Sequence, residues 1–103
     1  MELILEKYAV SELTNTIRIF DKYADQYQDK YMAYQPYRES YDYLADLVTE
    51  GSVILDVACG PANISKFLHD RIAKLQIVGC DLSPKMIRLA TINLPNGQFE
   101  IRD

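Results

Sequence analysis

The 103-residue sequence predicts an α/β fold built on a short parallel sheet, because strand-like and helix-like stretches alternate along its second half. Residues 53–57 form an apolar, β-branched run that is typical of a strand buried on both faces of a parallel sheet. Residues 76–80 form a second such run, and residues 98–103 alternate apolar and polar side chains as a third strand does. Helical patterns lie between these stretches, so we expect a crossover helix between successive strands.

The two crossover helices are predicted from apolar spacing and from their first residues. The first begins at Asn63, which we expect to cap it, and runs to about Lys74. Its apolar residues recur at helical spacing and should cover one side of the sheet: Ile64, Phe67, Leu68 and Ile72. The second runs from Pro84 to Ile92, with Ser83 as its N-terminal cap and the proline supplying a preset φ at the first position.

Residues 1–50 differ from the rest of the chain, since they contain all eight tyrosines. Apolar side chains at helical spacing through residues 17–27 predict one helix, and a second helix is expected from Pro36 to Gly51. We therefore divide the chain into an N-terminal helical segment, residues 1–50, and a sheet-containing part, residues 51–103, within one structural domain.

Charge and composition exclude several classes of function. The net charge is −4 and no basic stripe is present, which argues against a nucleic-acid partner. No apolar run approaches the roughly 20 residues of a membrane span. A metal site is not expected either, because His69 is the only histidine and has no ligand at suitable spacing. We expect a cytoplasmic protein without a membrane partner.

The two cysteines lie in loop and strand patterns and not in a spaced framework. Cys59 follows the first strand and Cys80 ends the second. Cysteines at such sites are usually small buried hydrophobic residues. A disulfide between them is the alternative, because the predicted strands are neighbours, but a reducing compartment disfavours it.

The loop after the first strand consists almost entirely of small residues, from Ala58 to Ala62. At such a strand-to-helix turn, backbone N–H groups and the positive end of the helix point into one crevice where a ligand can approach closely. Asp56 is an acid near the end of an otherwise apolar strand. A carboxylate there would repel phosphate, so the ligand should be cationic or rich in hydroxyl groups. Gly60 is the only glycine of the loop, so a dinucleotide fingerprint is poorly matched.

Residues 55–62, Leu-Asp-Val-Ala-Cys-Gly-Pro-Ala, resemble the first motif of class I S-adenosylmethionine-dependent methyltransferases, acid-x-Gly-x-Gly-x-Gly. Alanine replaces glycine at Ala58 and Ala62. The resemblance implies a three-layer Rossmann-like methyltransferase fold, here truncated to two N-terminal helices, strands 1–3 and two crossover helices. It also implies S-adenosylmethionine as the cofactor, whose sulfonium suits a carboxylate-bearing loop. The implied cofactor contacts of this motif are Asp56, Ala58, Cys59 and Gly60.

Two further matches follow at the spacing of that family. Asp81 ends the second strand about 20 residues beyond the loop, where nucleoside-binding α/β folds bind ribose hydroxyls. By resemblance, Leu82 packs against adenine and Met86 lies close to it. Asp103 resembles the acid after the third strand that reaches the adenine amino group. We expect Asp56 and Asp81 to stand at adjoining strand ends and to face one shared hollow.

The N-terminal segment carries a fourth resemblance. Phe20, Asp21, Ala24 and Tyr27 match a Phe-Asp-x-x-Ala-x-x-Tyr pattern found in many small-molecule methyltransferases. In that family the segment closes over the methionine end of the cofactor, which makes Tyr27 and Arg38 candidate contacts, with Tyr34 and Tyr37 as further candidates. The alternative is that most tyrosines form a packing seam, with rings in the core and hydroxyls in water.

The resemblance implies methyl transfer to a small-molecule acceptor, with this chain supplying the N-terminal, cofactor-binding half of a longer methyltransferase. Neither a catalytic residue nor the acceptor is assigned. A nicotinamide- or flavin-dependent oxidoreductase and a non-catalytic α/β interaction module are the alternatives. Right-handed crossovers leave the first strand at an edge of the sheet. Because a bare apolar edge favours association, we expect the chain to pair with another copy there.

Overall fold

A computed structural model describes the backbone of residues 2–102 and the side chains of residues 14–102. Asp103 therefore lies outside the described residues. The elements follow in chain order: α1 (Glu2–Tyr31), a short 3-10 helix (Gln35–Tyr37), α2 (Arg38–Leu47), β1 (Val53–Val57), α3 (Asn63–Arg71), β2 (Gln76–Asp81), α4 (Pro84–Asn93) and β3 (Gln98–Ile101).

The three strands form one parallel sheet in the order β1-β2-β3. Val53 pairs with Gln76, and Val78 pairs with Gln98. The predicted α/β class and the strand order are confirmed, and β1 lies at an edge of the sheet. Parallel strands place their carboxyl ends along one margin, so the residues that follow β1 and β2 come together there.

Only one face of the sheet is covered by the described residues. A core of Leu68, Leu75, Ile77 and Leu94 joins α3 and α4 to that face. On the other face Val53, Leu55 and Val57 are 65%, 67% and 66% exposed, so the prediction of a strand buried on both faces was wrong for this chain. The strands lie side by side in chain order, β1-β2-β3, so each right-handed crossover places its helix on the same side of the sheet. Val53, Leu55 and Val57 point away from that side.

A glycine at the centre of the sheet allows close packing between strand and loop. The Phe99 ring lies across Gly79, where an added Cβ would be 2.6 Å from the ring and 3.2 Å from the Cβ of Cys59. Any larger residue at this position would collide with both. Gly79 therefore leaves room for the Phe99 ring of β3 and for Cys59 of the loop after β1 on the same face of the sheet.

Several helix ends differ from the prediction. Asn63 is the first residue of α3 and does not cap it, because the cap position is Ala62 in a left-handed conformation. The Asn63 amide instead donates to the Tyr41 hydroxyl at 2.7 Å. α3 stops at Arg71 and α2 at Leu47, since the next residue in each case has extended backbone. At α4 the prediction is confirmed, since the Ser83 hydroxyl accepts from the Met86 N–H at 3.1 Å.

Candidate functional site

The loop after β1 uses left-handed backbone at alternate residues. Ala58, Gly60 and Ala62 have φ values of 57°, 56° and 66°. The Cys59 N–H donates to the Cys80 carbonyl at 2.9 Å, which ties the loop to β2. Small side chains suit this backbone because left-handed φ brings Cβ close to the carbonyl oxygen. The sequence pattern of small residues thus corresponds to a tight turn at the carboxyl end of β1.

Asp81 lies beside this loop at the end of β2 and accepts two backbone hydrogen bonds. Its Oδ2 accepts from the Gly60 N–H at 2.9 Å, and its Oδ1 accepts from the Ser83 N–H at 2.9 Å. The carboxylate therefore links the loop to the first turn of α4. Each oxygen keeps a further lone pair, which leaves acceptor capacity for hydroxyl groups of a ligand.

A cleft of about 310 Å³ opens above the carboxyl ends of β1 and β2, and we call it the strand-end cleft. Five of the sequence-predicted site residues line it on the sheet side, namely Ala58, Gly60, Asp81, Leu82 and Met86. α1 closes the opposite side with Ile17, Phe20 and Tyr27. Arg102 also lines the cleft. The cleft thus combines largely apolar walls with one carboxylate and one guanidinium, a composition that suits a nucleoside.

Asp56 faces a different space from Asp81. The two carboxylates lie on the same face of the sheet, since Asp56 pairs with Gly79 in the strand register. Asp56, however, lines a second hollow with Tyr37 and Tyr41, which we call the Asp56 hollow. The expected single hollow is therefore divided in two. Tyr27, Val57 and Ala58 border both spaces, so the loop separates them.

The Asp56 carboxylate is held by a serine that the sequence analysis did not single out. Ser65 on α3 is fully buried, and its hydroxyl donates to Asp56 Oδ2 at 2.6 Å. Burial raises the pKa of Asp56, and the charge of Asp81 raises it further, whereas the Ser65 hydrogen bond opposes these effects. No spacing in the sequence marks Ser65, because its partner lies on the preceding strand.

Five of the eight tyrosines form a packing seam, which was one of the two interpretations, but none of these five residues is buried in a core as that interpretation expected. Rings of Tyr27, Tyr31, Tyr34, Tyr37 and Tyr41 contact one another in a chain with centroid distances of 4.7 to 6.0 Å, and Tyr41 extends it to Phe67. Tyr27 also approaches the loop, since a Cβ at Gly60 would be 3.8 Å from its ring. Burial, followed by the neighbouring tyrosines and Asp81, raises the pKa of Tyr27. The seam therefore ends at the strand-end cleft.

Arg38 is not brought to either space. Its guanidinium lies over the Phe67 ring at 5.5 Å and pairs with Asp42 at 3.8 Å. It borders a separate groove with Lys66 and Asp70 on the far side of the tyrosine seam. The expected juxtaposition of Arg38 with the cofactor loop is thus absent, because the 3-10 turn before α2 directs the start of that helix toward α3.

The two cysteines are free thiols, so the disulfide considered from the sequence is not formed. Cys59 is buried, and burial raises its pKa to about 12, with the charges of Asp56 and Asp81 adding to the effect. A thiol with this pKa is a poor nucleophile near neutral pH. Cys80 is half-buried and lines the strand-end cleft. Within the described part of the chain, no three potential metal ligands cluster together.

Comparison with known proteins identifies the family of the sheet-containing part. Residues 54–103 match a family described as a methyltransferase domain. A trans-aconitate 2-methyltransferase of Variovorax paradoxus is 35% identical over 54 residues, 52% of this chain and 21% of that protein. A protein of the same name from Yersinia pestis is 38% identical over 63 residues, 60% of this chain and 24% of that protein.

Residues 54–103 thus match a methyltransferase domain, and this match supports the class I S-adenosylmethionine-dependent family that residues 55–62 resemble. S-adenosylmethionine is the cofactor of this family, as the resemblance implied. The chain matches only about a quarter of the length of these curated relatives, or less.

A solved structure supports the fold of this chain. Magnesium protoporphyrin IX methyltransferase from Synechocystis, solved with bound S-adenosylmethionine, superposes with a TM-score of 0.66 at 17% identity. The superposition covers 88% of this chain and 54% of the other. By this coverage, the superposition includes most of the described fold.

Within residues 2–102 of this chain, no helix is long and apolar enough to cross a bilayer.

Proposed function

We propose that this chain binds S-adenosylmethionine in the strand-end cleft and takes part in methyl transfer to a small-molecule acceptor. The observation that carries the proposal is the position of Asp81. Its carboxylate stands at the end of β2, is fixed by the Gly60 and Ser83 N–H groups, and borders an apolar cleft. This arrangement suits a ribose diol that donates hydroxyl hydrogens to a carboxylate while adenine packs on apolar walls.

The residues named from the sequence take distinct roles in this proposal. Asp81 accepts the ribose hydroxyls, Leu82 and Met86 pack against adenine, and Asp103 reaches its amino group. Ala58 and Gly60 form the floor on which the sulfonium end rests, whereas Cys59, also named from the sequence, lines the Asp56 hollow.

On the far side of that loop, Asp56 and Tyr27 border the Asp56 hollow. Asp56 offers a negative charge to the cationic methionine end of the cofactor. Arg38 takes no part in this arrangement unless the 3-10 turn moves. The N-terminal part, residues 1–50, acts as a lid on residues 51–103.

The proposed reaction depends on positioning and on exclusion of water. When bound, the cofactor supplies an electrophilic methyl group on its sulfonium. The chain holds the cofactor so that an acceptor atom can attack in line, and Phe20 and Tyr27 of α1 shield that side of the cleft from solvent. No acid or base is assigned, because precise orientation alone supplies much of the rate enhancement.

A small-molecule acceptor is the best supported class. Two curated relatives are named for trans-aconitate, a small carboxylic acid. The net charge of −4 disfavours a polyanionic nucleic acid. The reducing cytoplasm is the proposed location, since the two cysteines lie in loop and strand patterns and not in a spaced disulfide framework.

Calorimetric titration with S-adenosylhomocysteine, with NAD as the comparison ligand, tests the proposal. The wild type should bind S-adenosylhomocysteine, the form of the cofactor left after methyl transfer, and should not bind NAD. Asp81→Ala should weaken binding by roughly 10-fold or more, because a carboxylate accepting ligand hydroxyls is lost. Asp70→Ala, an exposed carboxylate on α3, is the matched control and should bind as the wild type does. Binding of NAD alone would favour an oxidoreductase, and binding of neither would favour a non-catalytic module.

The open edge of β1 supports a second, structural proposal. Its apolar side chains are exposed, and its outer backbone groups face no other strand of the described residues. We propose that two copies pair along this edge in solution. Sedimentation should show a dimer that is lost when Leu55 is replaced by Lys. A monomer for the wild type at micromolar concentration would contradict this.

A further inference from the structure

α1 is attached to the first turn of α4 by a carboxylate. Oδ1 of Asp21 accepts a hydrogen bond from the Ser83 hydroxyl and another from the Lys85 N–H at 3.1 Å. A carboxylate at this position also interacts favourably with the positive end of the α4 dipole. Asp21 therefore lies against the N-terminus of α4, although it belongs to α1 and is 62 residues from Ser83 in sequence.

Other contacts hold α1 along α4 in a parallel direction. Gln28 accepts from the Asn93 amide at 2.6 Å at the far end of α4, and Ala24 between them is fully buried. Asp25 pairs with Lys85 at 2.7 Å, although its carboxylate is largely exposed. These contacts attach the lid to the outside of α4. None of them involves a group that also contacts Asp81.

Ser83 is the group that α1 shares with the proposed ribose site. It is 1% exposed, its hydroxyl donates to Asp21, and its N–H donates to Asp81. Asp81 in turn accepts from the Gly60 N–H. Three successive hydrogen bonds thus connect α1 to the loop after β1 through one buried serine. Asp21 itself does not line the strand-end cleft.

We propose that Asp21 is a positioning residue that couples closure of α1 to cofactor binding. It orients Ser83, and Ser83 fixes the Asp81 carboxylate toward the cleft. When α1 is docked, the Asp81 carboxylate is oriented to accept the ribose hydroxyls. When the ribose is bound, the Ser83 hydroxyl is oriented to donate to Asp21. The two events must then strengthen each other by the same factor, because binding free energies are reciprocal. The inference rests on the proposed function, since it requires the cofactor at Asp81.

The test compares four variants by calorimetry with S-adenosylhomocysteine and by hydrogen exchange of α1 amides 14–31. Asp21→Ala removes both accepted hydrogen bonds. Asp21→Asn keeps a carbonyl oxygen but loses the charge, and serves as the conservative variant if the alanine variant folds poorly. Asp25→Asn is the matched control, since it removes a carboxylate one turn further along α1 that contacts only Lys85. Asp81→Ala reports loss of the ribose contact.

The expected affinity loss is roughly 10-fold for Asp21→Ala, smaller for Asp21→Asn, and less than about 2-fold for Asp25→Asn. Addition of S-adenosylhomocysteine should slow exchange of α1 amides in the wild type and in Asp25→Asn, but not in Asp21→Ala. If Asp21 only stabilised the fold, its replacement by alanine would leave this ligand-induced protection in place.

Two results would overturn the coupling while leaving the proposed function intact: Asp21→Ala binding with wild-type affinity, or retaining full protection of α1. In either case the wild type would still bind S-adenosylhomocysteine, and Asp81→Ala would still bind it more weakly, by roughly 10-fold or more. Failure of the wild type to bind would instead overturn the proposed function, and this inference with it.

Discussion

The Gly60 N–H lies 2.9 Å from Oδ2 of Asp81, so the turn after β1 and the end of β2 are joined by a charge-assisted hydrogen bond. The partners are 21 residues apart in sequence. Because the same carboxylate also accepts from the Ser83 N–H, it connects two turns that both border the strand-end cleft. The carboxylate assigned to the ribose is therefore also a structural link.

This double role makes Asp81→Ala destabilising in the absence of any ligand. Two partly buried N–H groups would lose their acceptor, and the free energy of unfolding should fall by about 1 to 3 kcal/mol. Urea unfolding measures the change. Asp70→Ala should differ from the wild type by less than about 0.5 kcal/mol, because its ion pair with Lys66 is exposed. Equal stability of Asp81→Ala and the wild type would show that water replaces these contacts at no cost.

Ala58→Gly should stabilise the protein. Ala58 is exposed and has a φ of 57°, a conformation that costs an L-residue about 1 kcal/mol and glycine almost nothing. Loss of backbone entropy offsets part of this, so a gain of roughly 0.5 kcal/mol is expected in urea unfolding.

The same substitution in a helix should have the opposite sign. Ala45 lies within α2, and Ala45→Gly should lower the free energy of unfolding by about 1 kcal/mol. If both variants were destabilised alike, left-handed strain at Ala58 would not be the cause.

Gly79→Ala should be strongly destabilising. Its Cβ would lie 2.6 Å from Phe99 and 3.2 Å from Cys59, and overpacking of this kind costs about 1 to 3 kcal/mol. Adding Phe99→Leu should restore part of the loss, since the smaller side chain makes room for the methyl group. Thermal unfolding of the single and double variants measures both effects, and full additivity of the two losses would argue against the collision.

Asp56→Asn should change how stability depends on pH. Burial raises the pKa of Asp56, so the folded state binds this proton more tightly than the unfolded state does. The stabilisation from that proton is complete below the ordinary carboxyl pKa of about 3.9 and is lost as pH rises through the raised value. Asparagine keeps an acceptor for Ser65 without the charge. The variant should therefore gain stability over the wild type between pH 4 and pH 7 in urea unfolding. If the difference in free energy of unfolding between Asp56→Asn and the wild type were the same at pH 4 and pH 7, the Asp56 carboxylate would not be destabilised by burial of its charge.

The two thiols should react at very different rates. With its pKa raised to about 12 and its side chain buried, Cys59 should resist iodoacetamide at pH 8, whereas Cys80 borders the strand-end cleft. Mass spectrometry should detect one modified cysteine per chain, and none in Cys80→Ser. S-adenosylhomocysteine should slow the reaction of Cys80. Fast labelling of Cys59 would show that the loop opens.

Local patterns were enough to predict the elements of the second half. The strands at 53–57 and 76–80, the Ser83 cap and the position of Asp81 follow from residues close together in sequence, since strand periodicity and capping are local effects. The cap expected at Asn63 was wrong because Ala62, in a left-handed conformation, takes the cap position and makes Asn63 the first residue of the helix.

By itself, the sequence determined the α/β class, the strand order and the pairing of a small-residue loop with an acid about 20 residues later. Only the tertiary structure decided that one face of β1 is exposed, that Asp56 and Asp81 occupy separate spaces, that Arg38 lies elsewhere, and that Asp21 meets Ser83. The physical reason is the range of the interactions. Strands, caps and turns depend on neighbours along the chain, whereas burial and long-range hydrogen bonds depend on which helix packs against which face.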